Sequence, residues 1–157
     1  MARSYGRVLA LDVGSKTVGV AVSDPTGTTA QPLETLRREP QGKELAAIAE
    51  LVARLQIKEV VVGLPTRTDG REGPEARRVK EFVRHLQRVV GIPVVLVDER
   101  FSTREAERML LDADLSRSRR RGVLNHVAAA IILDTYLARR QVRATQGKDT
   151  LPQAGGR

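Results

Sequence analysis

The run Leu11-Asp12-Val13-Gly14-Ser15-Lys16-Thr17-Val18-Gly19 sets one carboxylate inside an otherwise apolar stretch and follows it with a glycine that lets the backbone approach a ligand. An ionised carboxylate among apolar residues is costly unless it is paired or bound to a cation. Asp12 therefore points to a cation site, with Lys16 or the amides after Gly14 near a phosphate. The same residues suit a plain hairpin closed by an Asp12–Lys16 ion pair, and on pattern alone the two readings weigh the same. A second acidic pair, in Asp98-Glu99-Arg100, follows another apolar run. One of its carboxylates would join Asp12 on a shared metal; alternatively these charges mark the chain entering solvent, with Arg100 pairing either acid. Ser102 reads as a helix cap, not a nucleophile, because Glu105 three residues on completes a capping box. A D-x-G turn also opens the phosphate loop of actin-like and sugar-kinase ATPases. Those need a second, similar domain, and after Asp98 there is neither a second D-x-G hairpin nor room for one.

These residues need a framework to bring them together. Residues 7–13 and 16–24 read as two strands joined by a tight turn at Gly14-Ser15, and residues 28–37 as a third, held to a sheet edge or interrupted by Pro32. Leu45, Ile48, Val52 and Leu55 recur at helical spacing before the short apolar strand 59–64, a helix-then-strand order that suggests parallel pairing. Residues 65–73 form a loop. Ala76, Val79, Val83, Leu86 and Val90 mark an amphipathic helix, and 92–97 the next buried strand. A helix is expected from Ser102, a loop over the charged 117–122 run, and a last helix over 123–138. The expected fold is α/β, a mixed sheet flanked by helices in one domain, with functional residues outside the carboxyl ends of the parallel strands. A folded domain over 1–138 and a disordered basic tail over 139–157 complete the organisation.

The 157 residues suffice for one domain with a core on both faces of a sheet. Cysteine is absent, which excludes disulfides, thiolate zinc sites and a cysteine nucleophile. No stretch has the roughly 18 apolar residues of a membrane span, and the first residues lack the apolar stretch of a signal peptide, so a cytoplasmic protein with no membrane partner is expected. Lys and Arg number 27 against 19 Asp and Glu, a formal net charge of +8, which favours a nucleic-acid partner, although charge of this kind also serves solubility. With only 3% aromatic residues, base stacking has little to work with, and phosphate contacts would dominate.

Taken in order, L-D-V-G-S-K-T-V-G-V-A-V-S-D from Leu11 to Asp24, V-V-V-G-L-P from Val60 to Pro65, D-E-R-F-S-T from Asp98 to Thr103 and V-A-A-A-I-I-L from Val127 to Leu133 resemble the YqgF/RuvX family across residues 7–138. The resemblance implies an RNase H-like fold similar to the Holliday-junction resolvase RuvC. It also implies an association with 5′-end maturation of precursor 16S ribosomal RNA and, by analogy, with branched DNA. It further implies catalytic metal ligands at Asp12, Glu99 and an aspartate at the start of the last helix, holding two magnesium or manganese ions roughly 3.5 to 4 Å apart for in-line hydrolysis that leaves 5′-phosphate and 3′-hydroxyl ends. Lys16, Arg100, Arg117, Arg119, Arg120 and Arg121 would grip phosphates, and RuvC-like resolvases work as dimers, so a homodimer is open.

The third ligand position falls on Asn125. An asparagine carbonyl can touch a divalent ion but adds no charge, and magnesium relies on hard carboxylate oxygens. Asp134, nine residues on, lies near the opposite helix face. His126 reads as a surface or supporting group; as a ligand it would favour manganese. Asp to Asn is nearly isosteric, the change that silences catalysis while keeping the fold. The chain thus reads as an impaired or engineered-inactive nuclease, with natural divergence as the other explanation and a catalytically silent RNA or ribosome-precursor binding module as the rival function. A nucleotide-binding switch is the further rival.

Overall fold

A computed structural model of the chain describes residues 5–65, 69, 71–98 and 117–150. Strands β1 (Arg7–Val13), β2 (Thr17–Ser23) and β3 (Ala30–Arg37) are followed by helix α1 (Lys43–Arg54), strand β4 (Ile57–Leu64), helix α2 (Pro74–Val90), strand β5 (Val94–Asp98) and helix α3 (Arg117–Thr150). The five strands form one mixed sheet in the order β3-β2-β1-β4-β5. β1 pairs antiparallel with β2 and parallel with β4, which pairs parallel with β5. The expected hairpin, the parallel pairing and helices on both faces of the sheet are present.

Central position explains the apolar run of β1. Alternation sends Leu9 and Leu11 to one face, where they meet Ile48, Leu51 and Val52 of α1 and Val79, Phe82 and Leu86 of α2. Val8 and Ala10 go to the other face and meet Ala129, Ile132, Leu133 and Leu137 of α3. The core is therefore split into two layers by a sheet buried on both sides.

Pro32 does what its missing N–H requires. β3 lies at the sheet edge, and its pairing with β2 slips between Val20 and Ala21, leaving Leu33 as the extra residue, exposed to solvent. The turn before β3 is closed by Asp24, whose carboxylate accepts from the amides of Thr28 and Thr29, both at 2.7 Å, and from the Thr26 hydroxyl. The Thr26 hydroxyl first, then the Thr29 and Thr28 donors, hold the Asp24 carboxyl well below the usual carboxylate range. The folded state thus favours the charged form, so its contribution to stability is present above the ordinary 3.8 and is lost as pH falls through and below that value. Urea midpoints measured between pH 6 and pH 2.5 are expected to fall for the parent and to fall less for Asp24→Asn, which starts lower at neutral pH. Parallel curves would show that the turn does not depend on this charge.

Two expectations are corrected by α3. The 117–122 run, expected as loop, is helical, and the helix expected to end at 138 runs to Thr150. Arginine is a good helix former, and extending a helix already packed over 128–137 costs far less than starting one, so a single glycine at 122 does not stop it. Arg140, placed by composition in the tail, stacks 4.1 Å from the Tyr5 ring centroid and donates to the Gly27 carbonyl at 3.1 Å. The helix expected from Ser102 lies outside the described residues. Among the described residues, no helix is long and apolar enough to cross a membrane.

Candidate functional site

Asp12 stands next to last in β1, opposite Gly19 of β2. Cross-strand partners share a face, and alternation puts Asp12 with Val8 and Ala10, on the side covered by α3. Gly19 is the reason α3 comes so close. A Cβ built there would fall inside the carbonyl group of Asn125 and 2.9 Å from the His126 amide nitrogen. The helix backbone at 125 thus rests on the bare strand directly across from Asp12, and the 113 residues separating positions 12 and 125 are closed by one glycine contact. Two side-chain bonds secure this seat. Asn125 Nδ2 donates to Thr17 Oγ1 at 2.8 Å, and His126 Nδ1 lies 3.0 Å from Thr35 Oγ1 on β3. Burial pushes the His126 imidazole down from its ordinary 6.5, which favours the neutral ring.

The turn after Asp12 is held from behind. Gly14 donates its amide to the Thr17 carbonyl at 2.8 Å, and its own carbonyl accepts from Arg38 Nη1 at 3.0 Å. Arg38 also faces the Glu44 carboxylate, Nε to Oε2 3.5 Å, and lies 5.3 Å from the Phe82 ring centroid. One guanidinium therefore ties the site turn to α1 and α2. Glu44 is only 5% exposed, and removing its cation leaves a buried charge, which typically costs about 3 to 5 kcal/mol. Arg38→Met is expected to lose about 3 kcal/mol in chemical denaturation, most of it recovered by adding Glu44→Leu. A loss below about 1 kcal/mol would mean that the pair acts as an ordinary surface bridge.

A family model described as RuvX, Holliday junction resolvase, matches residues 6–139. A Moorella thermoacetica protein named as a candidate pre-16S rRNA nuclease is 55% identical over 133 residues, covering 85% of this chain and 95% of the relative. The chain belongs to the RuvX family. A likewise named Halothermothrix orenii relative is 44% identical over 83% of this chain and 94% of its own length. Among solved structures, Thermus thermophilus RuvC in complex with a Holliday junction substrate superposes with a TM-score of 0.56 at 18% identity, covering 88% of this chain and 97% of that one. The fowlpox virus resolvase bound to Holliday junction DNA gives 0.52 at 11% identity, over 85% and 98%. At these identities the likeness establishes the fold, which is that of the RuvC-like, RNase H-like resolvases.

In this RuvX chain the structure brings together Asp12 and Asn125 of the expected ligands; Glu99 and Arg100 lie outside the described residues. Strand β5 ends at Asp98, at the same carboxyl end of the parallel strands as Asp12. Since Val95 and Val97 face α3 while Val94 packs on the other side, alternation sets Asp98 on the face away from Asp12. Lys16 is exposed in the β1–β2 turn, and Arg117, Arg119, Arg120 and Arg121 lie in the first turns of α3. The oxygen donors at hand, a half-buried carboxylate and an amide carbonyl, fit a hard divalent cation in kind while supplying one charge fewer than two carboxylates would. Among the described residues no group of three His, Cys, Asp or Glu side chains clusters for a metal. Sequence reasoning missed Gly19, Thr17 and Arg38. Only Gly19 carried a signal, as a glycine inside a strand, which often marks a close backbone approach.

Proposed function

We propose that this chain is a divalent-metal-dependent nuclease of structured RNA that trims the 5′ end of precursor 16S ribosomal RNA, the RNA its relatives' names suggest, with branched DNA as the other nucleic acid to test. The observation that carries this reading is the seating of Asn125 on Gly19, with Asp12 of β1 and position 125 of α3 on one sheet face. Asp12, Glu99 and the Asn125 carbonyl would hold magnesium or manganese, which when bound supplies Lewis acidity and a water nucleophile at neutral pH. The chain's own residues orient the backbone. Arg117, Arg119, Arg120 and Arg121 begin one to two turns before Asn125, within about 12 Å of rise along α3. Cations at a helix start oppose the helix dipole, so their position there is better explained by phosphates than by helix stability. Lys16 reaches solvent on the neighbouring turn.

Asn125 favours a second reading, a module that grips structured RNA without cutting it. Both predict binding that weakens steeply with salt. Labelled precursor rRNA ends, single-stranded RNA, single-stranded DNA and a four-way junction, each incubated in magnesium and in manganese, separate them. Metal-dependent cleavage of any substrate, abolished by Asp12→Asn, supports the nuclease. Tight binding with no cleavage in either metal, and none after Asn125→Asp, gives the binding module instead.

A further inference from the structure

An asparagine at a metal position has a difficulty that an aspartate lacks: its two ends are chemically different. Oδ1 can contact a cation, whereas Nδ2 carries two donors and no usable lone pair. Beside a carboxylate such as Asp12, which only accepts, an unrestrained amide turns its nitrogen toward the negative oxygens and presents the wrong end to a metal. In this structure Nδ2 is committed elsewhere, to Thr17 Oγ1 at 2.8 Å.

Thr17 is built to hold that bond. It opens β2 two residues before Gly19, so the period of two puts both on the face that carries α3. Its carbonyl closes the turn by accepting from Gly14, which fixes the backbone under the hydroxyl, and its branched β-carbon restricts the side chain. On the other side, the Asn125 backbone rests against Gly19 and its neighbour His126 meets Thr35. Both partners are therefore set by contacts other than their own bond. A hydroxyl can also reverse its role, accepting from an amide nitrogen or donating to a carboxylate oxygen, so the same threonine serves Asn or Asp at position 125.

We propose that Thr17 is a positioning residue that holds the Asn125 amide by its nitrogen, accepting Nδ2–H on its hydroxyl and leaving the oxygen for a divalent cation shared with Asp12. The cation rests on the metal-dependent reading above; the orientation of the amide does not. An asymmetry follows. A carboxylate has two equivalent ends and no wrong way round, so loss of the hydroxyl should matter far more with Asn at 125 than after Asn125→Asp.

The test is manganese binding, read by electron paramagnetic resonance of free ion, for Thr17→Val and Thr17→Ser in the parent chain and in Asn125→Asp. It is combined with hydrogen exchange of the Asn125 side-chain amide, read by NMR without metal. In the parent chain, Thr17→Val is expected to weaken manganese binding about tenfold or more, the range for lost partners of metal ligands. In Asn125→Asp it should cost less than about threefold, because either carboxylate oxygen serves as the ligand whichever way round the group lies. Thr17→Ser should stay near the parent in both, and amide exchange should quicken only with valine. Equal losses in the two backgrounds, or amide exchange unchanged by Thr17→Val, would overturn the proposal. If manganese binds none of the six proteins, the metal reading fails, and amide exchange alone decides the role of Thr17.

Discussion

Asn125→Asp is expected to raise magnesium-dependent cleavage on the order of 100-fold, the largest gain we anticipate from a single substitution. The fold needs no adjustment to receive it. The side chains are nearly isosteric, the backbone at 125 is already seated on Gly19, and the Thr17 hydroxyl can donate to the new carboxylate as readily as it accepts from the amide. What changes is charge. A Lewis-acid metal contributes several kcal/mol of transition-state stabilisation, and each 1.4 kcal/mol is about tenfold in rate, so a further carboxylate that anchors the ion and recovers about 2.8 kcal/mol of that stabilisation accounts for two decades. The same charge has a cost without metal. Two carboxylates on one face of the sheet repel, so metal-free Asn125→Asp should melt below the parent, and magnesium should reverse the order because an ion bound to the native state stabilises it. Melting curves with and without magnesium check this independently of turnover. A variant that melts the same in both conditions and cuts no faster would place the third ligand elsewhere.

The second large effect is on the framework. Gly19→Ala should cost about 3 kcal/mol of stability and abolish any metal-dependent cleavage, because the added methyl has to displace the helix backbone at 125 and not a flexible side chain. α3 cannot simply retreat. Ala129, Ile132, Leu133 and Leu137 are buried against β1 and β4 a few residues on, so lifting residue 125 strains or unpacks that layer. Gly91→Ala is the comparison, since Gly91 has φ +65 and nothing within 4 Å of its missing side chain. It should lose only about 1 to 2 kcal/mol, from backbone conformation alone. Denaturant midpoints for the two variants separate a crowding cost from a backbone cost, and equal losses would mean that the helix is not seated as described.

How far these effects could be anticipated from the chain differs from residue to residue. The strand β1, the hairpin after it and the amphipathic α2 were legible because each is written in a local period, two for strands and 3.6 for helices, and burial on both faces shows as an unbroken apolar run. Pro32 announced an edge strand for an equally local reason, its missing N–H. The high charge over 117–122 suggests a loop, yet the segment is helical. Charge says where solvent is, not which backbone conformation is adopted, and arginine suits a helix well.

Position 125 was legible as a site residue only through the order of motifs, and nothing local tells Asn125 apart from any other helix asparagine. Its relation to Asp12 depends on the pairing of Asp12 with Gly19 and on the packing of a helix more than a hundred residues away in the chain. Thr17 and Arg38 were invisible for the same reason: a hydroxyl and a guanidinium are ordinary in a strand end and a turn until the fold sets them against Asn125, Gly14 and Glu44. Sequence by itself therefore determined the strands, the first two helices, the family and the identity of the acid in the first strand, all consequences of local pattern and the order of motifs. Which groups meet that acid, and which way round they are held, was decided only by the tertiary structure, because register and helix seating are set by contacts between residues that have no shared period to announce them.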